Sequence, residues 1–143
     1  MFIVSAICDW KCCIEAGLDI SVCQNQSLVN SPTKDIDNNF IYDLYINDPI
    51  TRAVVIGGLE PMLQIDEVVD LIGTFRRNGC NDPFVIYTGY NADEIRSSLD
   101  RLRDKRVIVK YGRYVPGQKP HYDEVLGINL ASDNQYAEKL YTD

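Results

Sequence analysis

Four cysteines fall within the first 23 residues, at Cys8, Cys12, Cys13 and Cys23, and a Gly57-Gly58-Leu59-Glu60-Pro61 turn follows the apolar run Ala53-Val54-Val55-Ile56. Thiolates bind soft metals, and glycines at the exit of a strand let backbone come close to a ligand. Together the two features suggest an iron–sulfur cluster and a nucleotide-like cofactor sharing one site. Cys8 and Cys12 are separated by three residues, Cys13 follows at once, and Cys23 lies beyond a ten-residue gap from Cys12. Such a set suits zinc or iron–sulfur chemistry. Zinc uses two tight ligand pairs and fills all four positions, and adjacent Cys12 and Cys13 make an awkward pair for it. Three thiolates, Cys8, Cys12 and Cys23, on a [4Fe-4S] cluster instead leave the fourth iron open to the amino and carboxylate groups of a small molecule. Cys13 either substitutes for Cys12 or fills space beside it. The bland alternative makes the whole group surface thiols or core fillers. Cys80 follows Asn78-Gly79 in an expected turn and is assigned no part in cluster binding.

The chain that must position these groups has 143 residues and is read as one domain over 1–143, with a cysteine-bearing loop at 8–31. Five cysteines is an odd number, and no basic segment followed by an apolar stretch opens the sequence. Both point to a reduced, cytoplasmic protein. No apolar stretch approaches the roughly 20 residues of a membrane-spanning helix. Fourteen basic against 21 acidic residues give a formal charge of −7, which argues against direct nucleic-acid binding. The acidity suits a partner with a basic docking face, or simply a solvated surface.

Phe2 to Ile7 reads as a buried strand and Cys8 to Ser31 as a loop. From Asp37, Ile41, Leu44 and Tyr45 fit one helix face ending before Pro49. Ala53 to Ile56 is a second strand. Ile65 to Arg77 is a helix on Val68, Leu71, Ile72 and Phe75, and Pro83 to Thr88 a third strand. Ala92 to Asp104 is predicted helical, Arg106 to Tyr111 a fourth strand, Leu126 to Ala131 a fifth, and Gln135 to Tyr141 a short terminal helix. His121 is expected in an exposed proline-rich loop. The alternation implies an α/β fold with a mainly parallel sheet of five or six strands, as an open or partial (β/α) barrel. Ligands of such sheets bind beyond the carboxyl ends of the strands, where Cys8, Gly57 and Thr88 fall.

These segments resemble the radical S-adenosylmethionine superfamily and, within it, the small activating enzymes of anaerobic ribonucleotide reductases, almost from end to end. Cys8-Asp9-Trp10-Lys11-Cys12 is similar to the start of the family's cysteine motif, and Cys23-Gln24-Asn25 to its last cysteine with a nearby asparagine. Gly57 to Gln64 resembles its Gly-Gly-Glu-Pro segment, and Val85 to Tyr90 its strand ending in Tyr-Thr-Gly-Tyr. Tyr111-Gly112-Arg113-Tyr114-Val115-Pro116 and Ala131-Ser132-Asp133-Asn134-Gln135 resemble its Asp-Gly-Arg-Phe and Gly-Ser-Ser-Asn-Gln segments. Ten residues stand where the family has two between its second and third cysteines, and Leu59 interrupts the Gly-Gly-Glu triplet.

The resemblance implies a [4Fe-4S] cluster on Cys8, Cys12 and Cys23 and S-adenosylmethionine at the open iron. Reductive cleavage of its sulfonium would then lead to hydrogen abstraction from a glycine of a partner, a glycyl-radical enzyme like the anaerobic ribonucleotide reductase, with an electron donor supplying the reductant. It further implies that Gly57 and Gly58 approach the methionine moiety and that Glu60 accepts from its ammonium, or else caps the following helix. Val22 is placed against adenine, or makes a simple loop contact, and Thr88 against ribose, or simply ends its strand. Asn134 and Gln135 line the cofactor or partner side, or cap a terminal helix. Two other functions are weighed: a non-catalytic protein of this kind that binds or inhibits another protein, and a zinc or redox-sensing module.

Overall fold

The computed structural model describes residues 1–142. Strand β1 (Phe2–Val4) is followed by short helices α1 (Lys11–Ala16) and α2 (Gln26–Val29), then α3 (Asn38–Ile46) and β2 (Val54–Gly57). Helix α4 (Ile65–Arg77), β3 (Phe84–Tyr87), α5 (Arg96–Leu102) and β4 (Val107–Tyr111) continue the alternation, and β5 (His121–Asp123), β6 (Ile128–Leu130) and β7 (Tyr136–Lys139) complete it. The main sheet has the order β1-β2-β3-β4-β7, and β5 and β6 form a separate hairpin. The first three ladders are parallel and β4 pairs antiparallel with β7. The sheet is a mixed, mostly parallel one of five strands, open at β1.

Alternation along the strands sets the core. Val54, Ile56, Phe84, Ile86, Val107, Val109 and Tyr111 face the helices, meeting Leu71, Ile72 and Phe75 of α4 and Leu99 and Leu102 of α5. Phe75 is fully buried and meets Tyr42, Tyr45 and Phe84 edge-on, with centroids 5.2, 5.2 and 5.0 Å away. Helix α4 runs over the expected residues, with Asp66 and Glu67 in its first turn and Arg76 and Arg77 in its last, matching its dipole. Asp37 caps α3 through the N–H groups of Asn39 and Phe40.

Four expectations are corrected. The segment Gln135 to Tyr141 contains β7 rather than a helix. Its Ala-Glu-Lys-Leu composition favours helix, but the open edge of β4 captures it: Tyr136 stacks on Tyr111 at 5.0 Å, Leu140 is buried, and its N–H reaches Val107 O at 2.9 Å. The strand at 126–131 is real only as Ile128–Leu130, and it belongs to the hairpin, not the main sheet. His121 lies half-buried in β5 opposite Leu130 rather than in an exposed loop. The cysteine segment, expected as loop, holds α1, α2 and a 3-10 turn at Ile20–Val22.

Candidate metal centre

The cysteine segment is laced to the exit of β2 before it reaches its first thiol. Ser5 N–H donates to Gly57 O at 2.9 Å, Ala6 N–H to Gln64 Oε1 at 2.6 Å, and Glu60 N–H to Ile7 O at 2.8 Å. The chain then turns into α1 at Trp10, whose φ of 60° is left-handed, and Trp10 N–H donates to Cys8 Sγ at 3.3 Å. Helix α1 carries Cys12 and Cys13 and stops at Gly17, again left-handed. Asp19 caps the following 3-10 turn through Ser21 N–H, and Cys23 closes it with its own N–H on Ile20 O at 3.0 Å.

All five cysteines are free thiols; Cys13 is buried and Cys8, Cys12, Cys23 and Cys80 are half-buried. Burial, then the charges of Cys12 and Cys23, push the Cys13 thiol up to about 11. Burial likewise raises Cys8, opposed by the Trp10 N–H and reinforced by Cys12. Cys8, Cys12, Cys13 and Cys23 therefore lie within electrostatic reach of one another, each through its neighbour, whereas Cys80 sits apart beside Arg76, which donates to its carbonyl at 2.7 Å. Among the described residues no three His, Cys, Asp or Glu converge as they would on a single metal ion. A cluster of several irons is larger than an ion and takes sulfur ligands from a wider circle, so soft thiols at this spread fit a cluster.

Cys8 and Cys12 open onto a small pocket completed by Glu60, Gly89, Tyr90 and Arg113, at the carboxyl ends of β1 to β4. Glu60 is buried there. Its Oε1 accepts from Met62 N–H at 3.0 Å and from the Thr88 hydroxyl at 2.7 Å, and its Oε2 from Gly89 N–H at 2.9 Å. It thus caps the 3-10 turn Pro61–Gln64 and ties β2 to β3. Burial raises its pKa, and the three donors oppose that rise. Thr88 Oγ1 also accepts from Tyr90 N–H at 3.0 Å, while Tyr90 donates its hydroxyl to Asp9.

Cys8, Cys12 and Glu60 meet at this pocket, Thr88 is bonded to Glu60, and Cys23 lies one thiol further off through Cys13. A Cβ on Gly57 would meet Tyr87 Cβ at 3.3 Å and Phe2 Cζ at 3.4 Å; on Gly58 it would meet Val4 Cγ1 at 2.9 Å and Leu28 Cδ1 at 3.3 Å. Side chains of the protein itself pack into the space these glycines leave. Val22 is 61% exposed and does not reach the pocket. Asn134 lies at the turn before β7, where its Nδ2 donates to Arg113 O at 2.9 Å; it caps no helix.

Sequence analysis missed the charged frame of the site. Arg113 clasps Glu94 and touches Glu15, Lys11 pairs with Glu94, and the ring of Tyr90 lies under both cations. It also missed Lys110, the single charge in the apolar strand Val107-Ile108-Val109-Lys110-Tyr111, a pattern that could have flagged it.

No helix among the described residues is long and apolar enough to cross a membrane. No curated protein and no solved structure matches the chain. The family model for a 4Fe-4S single cluster domain matches residues 8–135, a span that runs from the first cysteine to the turn before β7. With its four N-terminal thiols gathered at the carboxyl ends of a mostly parallel sheet, the chain belongs to the 4Fe-4S single cluster domain family.

Proposed function

We propose that this iron–sulfur protein is a radical S-adenosylmethionine activating enzyme that generates a glycyl radical on an anaerobic ribonucleotide reductase or a related partner. Cys8, Cys12 and Cys23 would hold the [4Fe-4S] cluster. Glu60, with Thr88 bonded to it, would face the cofactor, whereas Val22, Gly57, Gly58 and Asn134 lie outside the pocket lining. When bound, the cluster and S-adenosylmethionine supply one-electron cleavage of a sulfonium bond, with the electron coming from an external one-electron donor. The chain's own residues hold and orient. Glu60 keeps one lone pair beyond its three donors for an amino group. Tyr90 and Arg113 line the pocket, and Glu94 holds Arg113 in place there.

The observation that carries this reading is the hydrogen bond from Glu60 N–H to Ile7 O at 2.8 Å. It locks the glycine-rich turn to the residue just before Cys8, so a cluster on the cysteines and a small molecule on the strand exits would share one site. The test is anaerobic reconstitution with iron and sulfide, reduction, and electron paramagnetic resonance with and without S-adenosylmethionine. A reduced-cluster signal that changes on adding the cofactor is expected. A signal that does not change would overturn it.

A second reading, a cluster-bearing protein that binds or inhibits a partner without cleaving cofactor, is favoured by the side chains of Val4 and Leu28 packed over Gly58. It predicts a cluster without cofactor cleavage.

A further inference from the structure

Asp9 stands between two cysteines, and both of its oxygens are engaged. It follows Cys8 directly and lines the small pocket together with Cys8 and Cys12. Its Oδ1 accepts from Lys11 N–H at 3.1 Å, and its Oδ2 accepts from the hydroxyl of Tyr90. Two cations line the same pocket, but other carboxylates hold them. Lys11 Nζ pairs with Glu94 and lies 3.9 Å from Glu15, and Arg113 is divided between the same two glutamates. Among the described residues, the charge of Asp9 is thus met by one phenol and one peptide N–H and by no ion pair.

Tyr90 is braced to hold that phenol still. Its N–H donates to Thr88 Oγ1 at 3.0 Å and its carbonyl accepts from Gly112 N–H at 3.1 Å, so its backbone is tied on both sides to strand exits. Its ring lies 5.3 Å from Lys11 Nζ and 5.7 Å from Arg113 Cζ, measured from the centroid. A phenylalanine would make the same ring contacts. The hydroxyl serves a separate purpose, and its partner is the carboxylate beside Cys8.

A carboxylate next to a cluster ligand opposes each electron added to the cluster, and a hydrogen bond that draws charge off the carboxylate weakens that opposition. Asp9 is exposed, so water screens part of its charge, and its direct attachment to Cys8 brings the rest to bear. We propose that Asp9 tunes the reduction potential of a cluster held by Cys8 and Cys12, with Tyr90 as the positioning residue that fixes Asp9 and draws off part of its charge. This rests on the cysteine assignment above and not on the identity of the small molecule at the open iron.

The test is the midpoint potential of the full chain, reconstituted anaerobically with iron and sulfide and reduced stepwise under electron paramagnetic resonance. Wild type, Asp9→Asn, Tyr90→Phe and the double variant are compared. Both substitutions keep the shape of the side chain, and iron and sulfide content confirms the cluster in each. Asp9→Asn is expected to raise the potential, because a negative charge is lost. Tyr90→Phe is expected to lower it in the wild-type background and to change it much less in the Asp9→Asn background, as for one coupled pair. Residues that only hold the fold would not give shifts of opposite sign that depend on each other. An unmoved potential in Asp9→Asn would overturn the tuning, and equal effects of Tyr90→Phe in both backgrounds would overturn the pairing. If Tyr90→Phe builds no cluster, Asp9→Asn decides alone, a rise supporting the tuning and no rise ending it. A wild type that builds no cluster would overturn the cysteine assignment, and the tuning with it.

Discussion

Arg113 grips Glu94 with both terminal nitrogens, Nη1 at 2.8 Å from Oε2 and Nη2 at 2.7 Å from Oε1, while its Nε lies 3.0 Å from Glu15 Oε2. Arg113 stands two residues past β4, Glu94 in the 3-10 turn after β3, and Glu15 on the helix that carries Cys12 and Cys13. One guanidinium thus joins the strand exits to the thiol-bearing helix, and its side chain is only 8% exposed. A planar fork is suited to this, since it meets one carboxylate with two parallel bonds and leaves a third donor for another.

Arg113→Gln should destabilise the protein by about 2 kcal/mol, between the cost of breaking a surface pair and a buried one. Denaturant titration measures the loss. Amide exchange should quicken most over Lys11–Ala16. Uniform quickening across the sheet would mean that Arg113 does not anchor that helix.

Glu94 gives a pH signature. The hydrogen bonds from Arg113 hold its carboxyl far below the ordinary 4.5. The unfolded chain takes up this proton at higher pH than the folded one, so the stabilisation is fully present above about 4.5 and fades as pH falls below it. Glu94→Gln should show a shallower loss of melting temperature below that pH than the wild type. Parallel acid profiles would remove Glu94 from the account.

Lys110 has the same slope for the opposite reason, since here burial disfavours the charged form. Its folded pKa of about 8 lies below the ordinary 10.5, so between those values the unfolded chain holds more protons and stability rises with pH. Lys110→Met should therefore be more stable than wild type at neutral pH, by roughly 2–3 kcal/mol. The gap should close by pH 10.5. A gap independent of pH would point to packing rather than charge.

Among the cysteines, iron content after anaerobic reconstitution should fall sharply in Cys8→Ala, Cys12→Ala and Cys23→Ala and stay unchanged in Cys80→Ala. Cys12 lines the pocket with Cys8, whereas Cys13 is 6% exposed and faces inward. Cys13→Ala should accordingly retain its iron and lose about 1 kcal/mol of stability, as for a small buried side chain. Loss of iron in that variant would move the ligand from Cys12 to Cys13.

Gly58→Ala should cost about 1–3 kcal/mol, because alanine is strained at a φ of +87° and its Cβ would lie 2.9 Å from Val4 Cγ1. Thermal unfolding gives the size. Val4→Ala in the same background should recover part of the loss by making room.

Much of the parallel sheet was legible because buried strands announce themselves as apolar runs: Pro83–Thr88 and Arg106–Tyr111 each contain the observed strand, and Ala53–Ile56 all of β2 but Gly57. Helix α4 was legible to the residue because Val68, Leu71, Ile72 and Phe75 repeat at helical spacing. The short helices around the cysteines have no such period; caps and thiol burial hold them instead. Strand β7 was misread because its pairing partner lies some 25 residues back, and local composition says nothing about an open edge. For the site, Cys8 and Thr88 could be read from their positions at strand exits, Cys12 from the cysteine spacing and Glu60 from the glycine-rich turn. The Arg113, Glu94 and Lys11 frame could not, since it joins three separate segments whose charges look, one at a time, like ordinary surface.

Leu28 resting over Gly58 bears on how the cysteine segment tolerates change in length. Cys23 accepts the N–H of Gln26, the first residue of α2, and α2 carries Leu28 onto the glycine. The third thiol is therefore held from downstream, by a docking point on the sheet, as well as from α1 upstream. Gly17 and Leu18, which join α1 to Asp19, are themselves bonded, Gly17 ending the helix and Leu18 N–H donating to Cys13 O at 3.0 Å. In comparing chains of this kind, the spacing from the third cysteine to the leucine that follows it matters beside the spacing between the cysteines.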